Sequence, residues 1–254
     1  MAVAERITGG RTARTRRSAG RVVPGRPLQS FGWAKASPWR GDRTTAHLVL
    51  GARVPREPYA VESCFDPLRR SGYRAVVTTA MPPGDALAFV DAGFDVRERL
   101  HLLEHDLERI PEPRGAMRLR RAWRADREPV LQLDQLAFDD FWRLDDQGLR
   151  DALQATPSVR FRIGESVGNC LSAYSIIGRA GRQGYVQRVA VHPDERRRGW
   201  GEVLVADALR WLVRHDVRRA LVNTQWTNDG ALALYEACGF RRLPVGLCVL
   251  DRAL

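Results

Sequence analysis

A short basic turn at residues 196–201 carries the residues best suited to binding a charged ligand. It lies between a strand-like run over residues 185–191 and a helix-like run over residues 202–214. The first N–H groups of a helix have no intrahelical partner, and the helix dipole favours an anion there. Gly199 and Gly201 remove side chains where phosphate oxygens must approach the backbone. The pattern predicts a phosphate-binding turn; the alternative is an ordinary solvated connection.

A second motif follows at residues 228–240, with Asn228, Tyr235 and the pair Gly239-Phe240 at its key positions. The order strand, Arg-x-x-Gly-x-Gly, helix, strand, Asn-x-x-Ala-x-x-x-Tyr resembles the GNAT family of acyl-CoA-dependent N-acetyltransferases over residues 116–254. The resemblance implies an α/β (α+β) fold, in which helices flank a mixed, mostly antiparallel central sheet. It also implies an enzyme that transfers an acetyl group directly from acetyl-CoA to a primary amine, on a small molecule or a protein N-terminus.

The same resemblance implies which residues contact acetyl-CoA: a strand, the basic turn and the next helix. The expected cofactor-binding residues are Val189, Ala190, Val191, Arg196, Arg197, Arg198, Gly199, Trp200, Gly201, Asn228 and Tyr235. Tyr235 is also the expected catalytic residue, because a phenol can protonate the departing thiolate. The alternatives are structural: Asn228 is then a helix N-cap, Tyr235 a buried aromatic residue, and the valines are sheet core.

The catalytic base stays unassigned at this stage. Gln187 and Asn223 stand where many relatives carry Glu, and neither side chain takes up a proton. The remaining candidates are Glu165, Asp139, Asp140 and a water held by backbone groups. This departure from the family pattern supports an alternative function, a GNAT-fold acyl-CoA-binding or regulatory module with little turnover.

The resemblance also implies that the segment between the first two helices of this region lines the acceptor cleft, where acidic and aromatic residues stand. They are Asp139, Asp140, Phe141 and Trp142, and their chemistry suits a cationic amine. The alternative is a half-buried helix with aromatic core residues and solvated acids.

A weak internal repeat appears when the sequence is shifted by 145 residues. Residues 74–79 then lie over 219–224, residues 86–92 over 231–237 and, after one skipped residue, Gly93-Phe94 over Gly239-Phe240. In this alignment Pro83 faces Asn228 and Val90 faces Tyr235. Residues 45–112 are therefore predicted to be a degenerate, partial GNAT-like domain that precedes the catalytic domain at 116–254. The arrangement resembles tandem GNAT proteins of the mycothiol synthase type.

The positive charge is concentrated near the start of the sequence. Ten Arg or Lys and two acidic residues give residues 1–44 a net charge of +8, out of +11 for the whole chain. We predict a basic disordered tail there. Nucleic-acid binding is not expected, because no recognition motif accompanies the charge.

Other classes of protein are disfavoured by composition. We expect no membrane span, since the sequence has no apolar run of about 20 residues, and no secretory signal. The four cysteines lack metal-ligand spacing, so no metal site is expected and a cytoplasmic location is predicted. Acetyl-CoA and an amine acceptor are the expected partners of a monomer or homodimer.

Overall fold

The computed structural model describes residues 29–114, 117–166 and 170–254. Strands and helices are interspersed along the chain, with runs of three consecutive strands at β1–β3 and at β7–β9. In chain order they are β1 (Gln29–Ser30), β2 (Ala34–Trp39), β3 (Asp42–Leu50), α1 (Pro58–Glu62), α2 (Phe65–Arg70), β4 (Ala75–Thr78), α3 (Pro83–Asp91), β5 (Asp95–His105), β6 (Arg118–Arg121), α4 (Arg127–Ala137), α5 (Asp146–Gln154), β7 (Ser158–Glu165), β8 (Leu171–Ala180), β9 (Gln183–Val191), α6 (Trp200–Val213), β10 (Arg219–Gln225), α7 (Asp229–Ala237), β11 (Arg241–Arg242) and β12 (Leu247–Ala253).

The chain divides into two compact units, and the C-terminal unit comprises residues 99–247. Its strands run in the order β6-β7-β8-β9-β10-β5, with β11 on the other side of β5. All of these pairs are antiparallel except β9 with β10, which is parallel. This mixed, mostly antiparallel sheet with flanking helices confirms the predicted fold class.

The helices of the C-terminal unit cover both faces of its sheet. Successive residues of a strand point to opposite faces. Ile176 of β8 packs in a core with residues of α4 and α5, whereas Ile177 packs with residues of α6 and α7. Side-chain caps mark two helix starts: Asp145 accepts a hydrogen bond from the Gly148 N–H, and Asn228 accepts one from the Ala231 N–H.

The N-terminal unit comprises residues 29–98 of the described chain together with residues 248–254. Its strand order is β1-β2-β3-β4-β12. The predicted disordered tail is wrong for residues 29–44, because β1, β2 and the start of β3 lie there. Residues 1–28 lie outside the described part of the chain. Alternating burial along β3, with Ala46, Leu48 and Leu50 buried, shows that this segment contributes to a sheet core.

Each unit contains one strand from the other half of the chain. The predicted division at residues 112 and 116 is different, because it leaves every strand in its own half. Strand β5 follows α3 in sequence, yet its residues Leu100 to His105 pair with β10 in the C-terminal unit. Strand β12 comes at the end of the second half, yet it pairs with β4 in the N-terminal unit. Sequence order alone gives no signal for such an exchange, because each strand directly follows its own half of the repeat.

The two segments of the predicted repeat end in the same local structure, but the register of their helices differs by one residue from the predicted one. Helices α3 and α7 have the same length, and each is followed by a left-handed glycine, Gly93 or Gly239. The N–H of Phe94 donates to the carbonyl of Phe89, and the N–H of Phe240 donates to that of Tyr235, both at 3.0 Å. The shift is therefore 146 residues along these helices. Tyr235 corresponds to Phe89, not Val90, and Asn228 corresponds to Pro82, not Pro83.

Protonation of His105 should destabilise the C-terminal unit. This residue is 1% exposed, and its Nδ1 accepts a hydrogen bond of 2.8 Å from the Leu107 N–H. Burial lowers the pKa of His105, although the nearby Asp106 opposes this and Arg241 adds to it. Because the unfolded chain binds the proton more readily, stability should fall by up to about 1.4 kcal/mol per pH unit below about pH 6.5.

Urea unfolding between pH 7.5 and 5.5 measures this dependence. In a His105→Gln variant the loss of stability over the same range should be distinctly smaller. An unchanged pH dependence in that variant would show that other groups are responsible.

Candidate active site

A slot opens in the sheet of the C-terminal unit where β9 and β10 separate. Their last parallel pair is Val186 with Val222, but β9 continues to Val191 and β10 to Gln225. Opposite β8, Gln187 forms a bulge, since Ile176 pairs with Arg188 and Ile177 with Val186. A bulge bends its strand and increases the local twist. The strand segments beyond it are left with backbone groups that a ligand can bind.

The corresponding strands of the N-terminal unit remain joined. Strands β3 and β4 pair up to Leu48 and Thr78. Just beyond, the Thr79 N–H donates to the Leu48 carbonyl at 2.9 Å, and Thr79 Oγ1 accepts from the Leu50 N–H at 3.3 Å. These bonds close the space that the slot occupies in the second copy of the repeat.

The basic turn lies between β9 and α6, as its sequence predicts. Arg196, Arg197 and Arg198 are all exposed, and α6 begins at Trp200. Arg197 and Gly199 have φ angles of 64° and 77°, so the turn uses the left-handed region twice. Gly199 adopts this conformation without strain, whereas a residue with a Cβ is less favourable there.

Two arginines of the turn already have protein partners. Arg198 pairs with Glu195 at 2.7 Å, and Arg196 Nη2 donates to the Ala137 carbonyl at 3.2 Å. Gly201 has a packing role as well, since a Cβ there would lie 2.8 Å from Leu234 Cδ2. It therefore lets α6 and α7 approach closely, a role that the motif alone does not reveal.

The ring of Tyr235 is buried on α7, with 6% of the residue exposed. It packs edge-on against Phe240 at 5.7 Å between ring centroids. Burial raises the pKa of Tyr235 above its ordinary value, and the nearby positive charge of Arg188 opposes this. In the N-terminal unit the equivalent Phe89 packs on Phe94 at 5.4 Å. The first copy thus retains the ring and lacks the hydroxyl group.

A buried ion pair next to the slot was missed by the sequence analysis. Arg188 of β9 donates to Asp134 of α4 through Nε and Nη2, each at 2.9 Å. The Tyr174 hydroxyl also donates to Asp134, and burial raises the pKa of Tyr174. Arg188 lies over the Phe138 ring, with Cζ 3.5 Å from its centroid. The three charged or polar residues are at most 8% exposed.

The bulge at Gln187 explains why the sequence did not reveal this pair. Val186 packs with α6 and α7, so simple alternation would direct Arg188 to the same face. Because of the extra residue, the Arg188 side chain instead lies on the face that packs against α4. Ala190 lies on the same face. A charged residue at a regularly buried strand position was the available signal.

The segment 138–145 between α4 and α5 contacts three parts of this region. Arg188 Nη2 donates to the Trp142 carbonyl at 2.7 Å, and Gln225 Nε2 of β10 donates to Asp139 Oδ2 at 2.9 Å. Arg196 of the basic turn donates to the carbonyl of Ala137, the last residue of α4, directly before the segment. Asp139 therefore lies beside the end of β10.

The other predicted acceptor and base residues differ in their surroundings. Asp140 is highly exposed and pairs with Arg143. Phe141 and Trp142 pack edge-on at 5.0 Å. Glu165 is bonded to Arg120 at 2.6 Å, in a cluster that also contains Asp126. Within the part of the chain that the structure describes, no group of three His, Cys, Asp or Glu side chains is arranged to hold a metal ion.

A splayed strand pair that leads into a basic turn and helix N-terminus defines an α/β domain of the acyltransferase type. Residues 97–240, more than half of the chain, match the Acetyltransferase (GNAT) family. The chain belongs to this family.

Relatives of established identity match only a small part of the chain. N-alpha-acetyltransferase 30 of Xenopus laevis is 41% identical over 61 residues, which are 24% of this chain and 22% of the relative. The human protein of the same name shows the same identity, over 17% of its length. The chain therefore spans about a fifth of these relatives.

Solved structures match over most of the chain at low identity and show the fold alone. A tandem GNAT protein from the clavulanic acid biosynthesis pathway has a TM-score of 0.64 at 14% identity, covering 87% of this chain and 78% of that one. A GCN5-related N-acetyltransferase from Kribbella flavida has a TM-score of 0.61 at 16% identity, covering 89% of each chain. Within the described residues, none of the helices is both long and apolar enough to cross a membrane.

Proposed function

We propose that this protein is an acetyl-CoA-dependent N-acetyltransferase that acts on a primary amine. The observation that carries the proposal is the slot between β9 and β10, which opens after Val186 and Val222 and leads to the basic turn. A thioester with a long arm and a pyrophosphate requires both features in this order along the chain. Family membership supports the choice of an acyl donor.

The residues present fit the proposed donor. Val189, Ala190 and Val191 pair with β8 on one side, but β9 is no longer paired with β10 on the other side there, so that edge offers strand-like hydrogen bonds to an amide-containing arm. The exposed arginines at 196–198 and the N-terminal N–H groups of α6 suit a pyrophosphate. Asn228 caps α7 through its side-chain oxygen, and its amide N–H₂ group remains a further donor for the arm.

The transfer then requires two proton movements. The amine nitrogen attacks the thioester carbonyl carbon, so a C–N bond forms and the C–S bond breaks. The proposed role of Tyr235 is to give its phenolic proton to the departing thiolate. The attacking amine loses one proton, and Asp139 is the candidate acceptor that contacts a slot strand, through Gln225. A water relay to the same carboxylate fulfils the role equally.

The acceptor is a primary amine of a small molecule or of a protein N-terminus. The N-alpha-acetyltransferase relatives favour the second of these, but they cover too little of the chain to decide. A non-catalytic acyl-CoA-binding module is the second candidate, favoured by Gln187 and Asn223 at the family's glutamate positions.

Calorimetric titration with acetyl-CoA tests the proposed donor. We expect one site per chain, because Thr79 closes the equivalent position in the N-terminal unit. An Arg198→Glu/Gly199→Asp variant places acidic side chains at the phosphate turn and should lose binding by 100-fold or more, an estimate of roughly two charge-assisted contacts.

The matched control is Arg214→Glu, an equally exposed arginine at the other end of α6, which should bind normally. Absence of binding by the intact chain would overturn the proposed function. Binding that survives in the turn variant would place the donor elsewhere.

A further inference from the structure

A short turn at residues 139–142, which we call the bridging turn, connects the two strands that separate at the slot. At its start, Asp139 Oδ2 accepts a hydrogen bond of 2.9 Å from Gln225 Nε2 of β10. At its end, the Trp142 carbonyl accepts one of 2.7 Å from Arg188 Nη2 of β9. Both bonds come from strand residues beyond the last parallel pair of β9 and β10. The bridging turn therefore joins the slot strands where their backbones no longer pair.

The opposite face of the slot strands packs against α6 and α7. Tyr235 of α7 and Val222 of β10 share a core with residues of α6, and Val189 of β9 packs against that core. Arg188 lies on the other face, where it bonds to Asp134 of α4. An amine that approaches the slot from the α4 face therefore meets the bridging turn.

Within the bridging turn, the Asp139 carboxylate is held at both of its oxygens. Oδ1 accepts from the Trp142 N–H at 3.2 Å, while Gln225 donates to Oδ2. Asp139 is nevertheless exposed, and a carboxylate has about four lone-pair sites, so it retains acceptor capacity for a substrate N–H group. The neighbouring Asp140 differs, because it pairs with Arg143.

The Gln225 carboxamide suits a positioning role, because it donates a hydrogen bond and exchanges no proton. Charged groups that also contact this segment are Arg188, described above, and Arg196, which donates to the carbonyl of Ala137. A guanidinium likewise keeps its proton in proteins. Asp139 therefore combines a bond to a slot strand with the ability to take up a proton.

We propose that Gln225 is a positioning residue of the transfer reaction, which holds the Asp139 carboxylate at the end of β10 to accept the proton that the attacking amine loses. The inference rests on the proposed function. As the C–N bond forms and the C–S bond breaks, one amine proton passes to Asp139 while the thiolate takes the proton of Tyr235. Water then carries a proton from Asp139 back to Tyr235, so both groups end the cycle as they began.

Steady-state kinetics of single and double variants test this role, with release of the CoA thiol as the readout. The acceptors are Ala-Gly-Gly-Gly amide, which models a protein N-terminus, and n-butylamine. Asp139→Asn should lower kcat by about 100-fold, as loss of a general base does. Gln225→Met keeps the length of the side chain but removes the donor, and it should lower kcat by about 10-fold, since small misplacements of a catalytic group cost rate. In the Asp139→Asn background Gln225→Met should have no further effect, because the two residues act as a unit.

The pH profile of kcat separates positioning of a base from a structural role. Its acidic limb should be absent in Asp139→Asn. Gln225→Glu keeps the shape of the side chain but places a second carboxylate beside Asp139. In this variant the limb should move upwards by about one pH unit or more, because like charges disfavour ionisation. A change that merely loosened the strand would lower kcat without moving the limb.

The matched control is Gln147→Met, which removes a Gln–Asp hydrogen bond of 2.7 Å to Asp151 in α5. It should leave kcat and its pH profile unchanged, and no variant should change the KM for acetyl-CoA. Additive losses in the double variant, or an acidic limb that Gln225→Glu leaves in place, would overturn the inference. Transfer to neither amine, with acetyl-CoA still bound, overturns it too. Failure to bind acetyl-CoA instead overturns the proposed function itself.

Discussion

Replacing Tyr235 with Phe is expected to lower kcat by about 10²–10⁴-fold, the usual contribution of a positioned general acid. The free energy of unfolding should change by only about 1 kcal/mol or less. The N-terminal unit gives the reason for this small change in stability. There Phe89 occupies the equivalent position and packs on Phe94 as Tyr235 packs on Phe240. A phenylalanine therefore fits this environment.

Steady-state kinetics and acetyl-CoA titration together measure this effect. Binding of acetyl-CoA should persist in the variant while turnover falls. Tyr185→Phe is a suitable control, since it also removes a buried hydroxyl but lies where β9 is still paired with β10. Turnover that is unaffected by Tyr235→Phe would rule out the acid role. If the wild-type chain binds acetyl-CoA without any turnover, the acyl-CoA-binding module becomes the better description.

Replacing Asp134 with Ala is expected to reduce the free energy of unfolding by about 3–5 kcal/mol, because a buried cation is left without its partner. Arg188 would lose both bonds to this carboxylate. The Leu144 N–H, which donates to Asp134 Oδ1 at 2.6 Å, would lose its acceptor as well. Segment 138–145 should become less ordered, so acceptor KM should rise.

Urea unfolding of the single and double variants separates charge from packing. Asp134→Leu/Arg188→Met removes both charges and should be clearly more stable than Asp134→Ala, since the isolated buried cation is gone. An equal loss of stability in the two variants would mean that packing, and not the ion pair, stabilises this region.

The parts of the site that sequence could predict are those encoded by local chemistry. The basic turn, the helix that follows it, and the Asn228 cap depend on residues close together in the chain, and the structure has them in place. Asp145 likewise caps the start of α5, because Asp is a residue type well suited to the N-cap position. Each of these signals acts within a few residues, so no tertiary information is needed.

The parts that were missed depend on how distant segments pair. A single bulge at Gln187 decides which face of the sheet Arg188 reaches, and nothing local marks that residue as the extra one. The repeat register was wrong by one residue for a similar reason. Two alanine-rich helices align almost equally well at neighbouring shifts, and the helix-end bonds of Phe94 and Phe240 show that the shift between the two Gly-Phe pairs extends through the helices.

The strand exchange also sets an order for assembly during synthesis. Residues 29–98 emerge before the C-terminal unit and allow β3 to pair with β4, but the other edge of β4 lacks its neighbour until β12 has been made, after the whole of the C-terminal unit. By contrast, β5 is available before the strands of the C-terminal unit appear. The second unit can therefore finish its sheet before the first. Until β12 is made, that edge of β4 is unpaired and can pair with strands of other chains.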